Sequence, residues 1–119
     1  MINFILVILA KILYLAIEPI NFFYVILIKK KFNWRRLDGY LRAESLAIDR
    51  FGNSQYKSLF NRWFVANGGY KHGNINETIS SVLGKNEHFG KLTKAGKILV
   101  SILNFIDKNH CAKSIDWSV

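Results

Sequence analysis

The stretch that most limits what this chain can become is INFILVILAKILYLAIEPINFFYVILI, residues 2 to 28. It holds one cation, Lys11, and one anion, Glu18. A surface helix of a soluble protein is apolar along one stripe. A helix apolar all round needs a large protein interior or lipid. The chain has 119 residues, enough for one domain, and the part beyond residue 28 is too small to wrap such a helix. Crossing the hydrocarbon of a bilayer takes about 20 residues, so the run suffices for one tilted span and not for two. A secretory signal is the competing reading. It would place a basic residue ahead of the apolar run and a small-residue cleavage site after it. Here the first basic residue is Lys11, and KKK follows Ile28. The expectation is a single transmembrane helix over residues 1–28.

Pro19 removes a backbone donor inside that helix and crowds the turn before it, which predicts a kink. Lys11 and Glu18 lie two turns apart on one face, about 10 Å from each other along the axis. Charges at membrane depth are expensive and often functional. Either Lys11 snorkels to a surface while Glu18 meets a partner or a water defect, or the two pair between chains and make an oligomer. A re-entrant hairpin at Glu18-Pro19 is a third geometry, but its second arm, residues 20–28, is short for a crossing.

Residues 2 to 28 are neutral in sum, so the whole net charge of +9 falls on the rest of the chain. Such asymmetry points to a membrane or nucleic-acid partner. The basic residues are densest in KKKFNWRR, residues 29–36. Lys29, Lys30, Lys31, Arg35 and Arg36 form a collar suited to an anionic membrane surface, with Phe32 and Trp34 at headgroup level. The collar predicts an outside N-terminus and a cytoplasmic C-terminal domain. The single cysteine, Cys111, cannot form an intrachain disulfide, which fits a reducing compartment.

The remaining residues, 37–119, read as a small all-α domain of three to four short helices. The anchor helix has no Gly or Pro to stop it between Pro19 and Gly39, so it can run on into the collar. Leu37, Tyr40, Leu41, Ala47, Ile48 and Phe51 mark a helical stripe ending at Gly52-Asn53. Tyr56, Leu59, Phe60, Trp63 and Phe64 make a second, and an aromatic stripe at this spacing is more often core than a stacking platform. NGGYKHG, residues 67–73, is a loop. Asn74 and Glu77 suggest a capping box for a helix ending at Gly84. In the last helix Thr93 caps the start, and Ala95, Ile98, Leu99, Ile102, Leu103 and Ile106 face inward.

Motifs for chemistry are sparse. His72, His88 and His110 lack the spacing of a helical metal site, and His110-Cys111 alone is a weak ligand pair. No nucleophile elbow, phosphate loop or paired-carboxylate motif is present. Ser80, His110 and Asp49 can be written as a Ser-His-Asp set, as can residues in almost any sequence. An enzyme would need a pocket joining Glu77, His110 and Asp49. The basic residues suffice for nucleic-acid backbone contacts, but no nucleic-acid-binding motif accompanies them. No cofactor is implied.

AIDRFGN, NETISSVLGKN and the ending LTKAGKILVSILNFIDKNHCAKSI together resemble a group of small proteins encoded by bacteriophages and prophages, with an apolar N-terminus and a basic C-terminal half. The likeness spans roughly residues 45 to 115 and rests on Asp49, Asn53, Glu77, Thr78, Ser80, Ser81 and His110 in order. It implies a viral origin and no particular mechanism. It also makes the polar phrase around Glu77 a buried hydrogen-bond network or contact site, on which Asp49, Glu77, Ser80 and His110 would converge. The expected function is therefore binding rather than catalysis. One form is a minor virion protein linking an internal membrane to capsid protein or genome. Another is a factor in the host inner membrane acting in lysis or exclusion, and a third is a membrane-tethered nucleic-acid-binding module.

Overall fold

The computed structural model describes residues 1–119. It is all-α: six helices and no strand, with one isolated antiparallel bridge between Val65 and Leu92. Two compact units divide the chain, Met1–Arg42 and Ala43–Val119, so the boundary falls later than the end of the basic collar.

In the first unit, α1 covers Ile2–Phe23 and runs through Pro19 without ending. It continues as a π-helical turn, Tyr24–Ile28, closed by the Lys29 N–H on the Tyr24 carbonyl at 2.8 Å. No residue of α1 is buried, and Ile2–Ile28 is long and apolar enough to cross a membrane. The helix does not run on into the collar. Residues 29–33 are irregular and α2, Trp34–Gln55, starts afresh. Two local interactions explain the break. Asn33 Oδ1 accepts the Arg35 N–H at 2.8 Å, which caps the new helix. The Arg36 guanidinium turns back to donate to the Val25 carbonyl, in the last helical turn, and to the Lys31 carbonyl in the irregular stretch. Lys29, Lys30, Lys31 and Arg35 remain exposed, whereas Arg36 is half-buried on backbone.

The second unit contains the end of α2, then α3 (Lys57–Trp63), α4 (Ile79–Phe89), α5 (Lys94–Ile106) and α6 (His110–Ser114). Its centre is α4, buried at every position from Ser80 to Asn86. Leu83, Leu92, Val100 and Cys111 form the apolar core, flanked by Phe64, Ile79, Leu99 and Leu103. So few large apolar side chains suffice because small residues let backbones close up. Gly84 lies against the Cys111 carbonyl, and Gly96 against that of Phe64.

Several boundaries differ from expectation. α2 passes through Gly52-Asn53, both buried, because Asn53 has tertiary partners that hold it in the helix. α4 starts later than the Asn74 box. Thr78 is its cap, accepting the Ser81 N–H at 3.1 Å, while Asn74 closes a turn on Asn76. Gly84 sits mid-helix, and the stop is Gly90, whose φ of 68° suits glycine. Thr93 does cap α5, accepting from Gly96 N–H at 3.1 Å.

The inward face of α5 is also different. Gly96 and Val100 are buried and Leu99 and Leu103 half-buried, but Ile98, Ile102 and Ile106 are 55%, 53% and 75% exposed. This helix is apolar on two sides, and the close approach at Gly96 chooses between them. Leu41, Ile48 and Phe51 on α2, and Leu59 and Trp63 on α3, likewise remain exposed.

Candidate functional site: polar networks around the central helix

Polar side chains make up much of the buried interior, and each set reaches α4 from a different direction. The first begins just before the helix. Glu77, Ser81 and Lys85 recur every four residues and so share one face. Glu77 Oε2 accepts from Ser81 Oγ at 2.6 Å and from Lys85 Nζ at 2.6 Å, while Oε1 accepts from the Tyr70 hydroxyl at 2.8 Å. Glu77 and Lys85 are 1% and 2% exposed. Lys85 also donates to the Val119 carbonyl at 2.8 Å and lies 4.3 Å from the centre of the Tyr70 ring. Ser81 Oγ accepts the Asp116 N–H at 2.9 Å. The pair thus ties the 70s loop, α4 and the C-terminal tail together. Burial alone would lower the Lys85 pKa, but the Glu77 carboxylate and Tyr70 hydroxyl outweigh it and hold it above the ordinary lysine value.

The second network joins α2, α4 and α6. Asp49 Oδ1 accepts the Ile79 N–H at 2.6 Å, and Oδ2 accepts from Ser80 Oγ at 3.3 Å. Ser80 Oγ is 3.0 Å from His110 Nε2, and His110 Nδ1 is 3.1 Å from Asp107 Oδ2. Lys113 donates to the other Asp107 oxygen at 2.7 Å, and this bond leads the interactions that lower the Asp107 pKa. Burial raises the Asp49 pKa, against the hydrogen bonds from Ile79 and Ser80.

The Ser80–His110–Asp107 distances would permit proton transfer. The surroundings are those of a structural tie. Ser80 is 5% exposed. Amides at the start of α4 that could hold an oxyanion are already engaged, that of Ile79 by Asp49 and that of Ser81 by Thr78.

A third set holds the loop before α4 by amide clamps. Asn86 accepts the Tyr70 N–H at 2.8 Å and donates to the Tyr70 carbonyl at 2.8 Å. Asn61 brackets the backbone of His72 in the same way. Asn53 donates to the Asn74 carbonyl at 2.9 Å, so its oxygen faces His72 Nδ1, 2.7 Å away, and receives that proton. His72 Nε2 is buried without a partner. Burial pushes the His72 pKa down to about 4, far below the unfolded value near 6.5. The folded ring is therefore neutral where the unfolded ring takes up a proton. Stability should fall as pH drops through 6.5 towards 4, by up to about 3 kcal/mol from this group. Urea melts of the full chain in detergent across that range should show the loss. The His72→Gln variant, which can still donate to Asn53, should respond less steeply; equal slopes would assign the loss elsewhere.

The residues singled out in the sequence therefore do not share one site. Asp49, Ser80 and His110 come together. Glu77 and Ser81 belong to the Lys85 network, Asn53 to the His72 clamp, and Thr78 to the cap. Lys85, Tyr70, Asn86, Asn61 and Asp107 were not foreseen. Lys85 had a visible signal, its spacing from Glu77 and Ser81; Asp107 had one in its spacing from His110. Cys111 points away from any ligand role: it is fully buried, and its thiol is pushed up to about 11, first by burial. No group of three or more His, Cys, Asp or Glu is placed to hold a metal ion. No protein-family model, curated protein or solved structure matches the chain.

Proposed function

We propose that the protein is a phage-encoded, single-span membrane protein whose basic helical unit works by binding at the bilayer surface rather than by catalysis. One observation carries the membrane reading: Ile2–Ile28 is a continuous apolar helical segment long enough to cross a bilayer, and within it Ile26 alone is buried by the protein. The exposed Lys29, Lys30, Lys31 and Arg35 at its end fit an anionic cytoplasmic leaflet or its counterpart inside a virion. Binding rather than catalysis is favoured because the polar clusters around α4 bond to one another and to backbone, and Ser80 is closed to solvent. The phage origin rests on the resemblance of residues 45 to 115. Within it, the leading role is a minor virion component linking an internal membrane to capsid or genome; the alternative is a host-membrane factor in lysis or exclusion.

The full chain should remain in the membrane pellet after both high-salt and alkaline washes, since lipid burial of the span is not electrostatic. Release by salt would sink the span and leave a peripheral protein. Mass spectrometry of purified particles and of infected-cell membranes then separates the two roles.

A further inference from the structure

α5 has an apolar face that no part of its own unit covers. Ile98, Ile102 and Phe105 lie along one side of the helix at 55%, 53% and 92% exposure. Lys94, Lys97 and Ser101 border the same shallow depression. Exposed Lys91 and Lys108 stand beyond the two ends of the helix. Asp107, just past the end of the helix, is turned to Lys113 and His110, and Glu87 lines a separate depression on the other side of Lys97 and Ser101. The surface lined by Lys94, Lys97, Ile98, Ser101, Ile102 and Phe105 therefore pairs large apolar side chains with two lysines and includes no acid.

We propose that this face is a second membrane contact, lying in the headgroup region of an anionic bilayer. A helix with an apolar stripe edged by lysines settles into that region with its apolar side chains immersed and its ammonium groups on lipid phosphates. Thirteen residues give enough length for such a contact, and Ile98 and Ile102 immerse along with position 105. Charge complementarity selects anionic lipid, because the lysines would gain little from a neutral surface. The span supplies proximity: a chain already tethered to the bilayer meets it at high effective concentration. The inference rests on the proposed span for that last step alone.

The test uses the full chain in vesicles, with an environment-sensitive nitrobenzoxadiazole dye on a Phe105→Cys variant. The native Cys111 is buried and stays unlabelled. In phosphatidylcholine vesicles containing phosphatidylglycerol, emission should shift to the blue, and lipids carrying a shallow doxyl quencher should remove roughly half of it. In phosphatidylcholine alone, or in a Lys94→Gln/Lys97→Gln background, the quenching should largely disappear. A dye that stays accessible to aqueous iodide in anionic vesicles would overturn the proposal. So would self-quenching that grows with protein density without lipid quenching, which would assign the face to a second copy of the chain. The alkaline wash keeps the two readings apart. A chain that is retained while position 105 stays in water loses only this inference, and a chain that washes off yet shows lipid quenching loses only the span.

Discussion

Glu77→Gln should destabilise the protein by about 3–5 kcal/mol, because it leaves the Lys85 ammonium buried without its counter-charge. The replacement preserves shape and can still meet Tyr70 and Ser81, so lost hydrogen bonding is the smaller part. A capping role would give a different pattern, about 1–2 kcal/mol for Glu77→Ala and less for Gln. Lys85→Met should be similarly damaging, since it strands the carboxylate. The double variant Glu77→Gln/Lys85→Met removes both charges and should recover much of the loss, giving strong coupling in a double-mutant cycle. Urea melts of the full chain in detergent, followed by tryptophan fluorescence, provide the measurement; Trp117 lies 5.8 Å from Lys85 Nζ. A Glu77→Gln loss below about 1 kcal/mol would mean that the pair is not a central tie. The Lys85 pKa is raised in the folded chain, so its contribution is fully present below about 10.5 and fades only above that. Neutral-range acidification should therefore act through His72 and not through Lys85.

Gly84→Ala should lower stability by about 3 kcal/mol or more, the opposite of what helix propensity predicts. In an open helix, alanine gains up to about 1 kcal/mol over glycine. At Gly84 the added carbon would stand 2.6 Å from Ile115 Cγ1 and 2.9 Å from the Cys111 carbonyl carbon, with the Cys111 oxygen in its way as well. Backbone cannot rotate aside, so α6 must be pushed off α4. That displacement would strain the Ser80–His110 bond and the Ser81–Asp116 bond together. Gly39→Ala in α2 is the control: nothing lies within 4 Å of the new carbon, and a small gain is expected. If Gly84→Ala melts at or above the wild-type temperature, the close packing of α4 against α6 is wrong.

The parts legible in the sequence were those governed by local rules. The apolar run to Ile28 announces its helix by length and hydropathy, in spite of Lys11, Glu18 and Pro19. Tyr56 to Phe64 does so by period, NGGYKHG by its glycines, and Thr93 by a cap that bonds three residues ahead. The limits of that reading appear where a local signal meets a distant partner. Gly52 and Gly84 look like stops, yet both are places where other backbone or side chains crowd in. α5 shows apolar residues on two faces, and periodicity gives each equal weight until Phe64 approaches Gly96. Glu77 stands at the right distance from Asn74 for a cap, but Lys85 and Tyr70 offer a buried carboxylate more than a helix end can. Ser80 reaches partners thirty or more residues away, Asp49 and His110, and no pattern of neighbouring residues encodes that meeting. The sequence alone determined the long apolar N-terminal helix, the charge that follows it and the helical class. Tertiary structure decided which faces turn inward and which polar groups pair, because a buried charge or amide must find a partner wherever the packed chain places one.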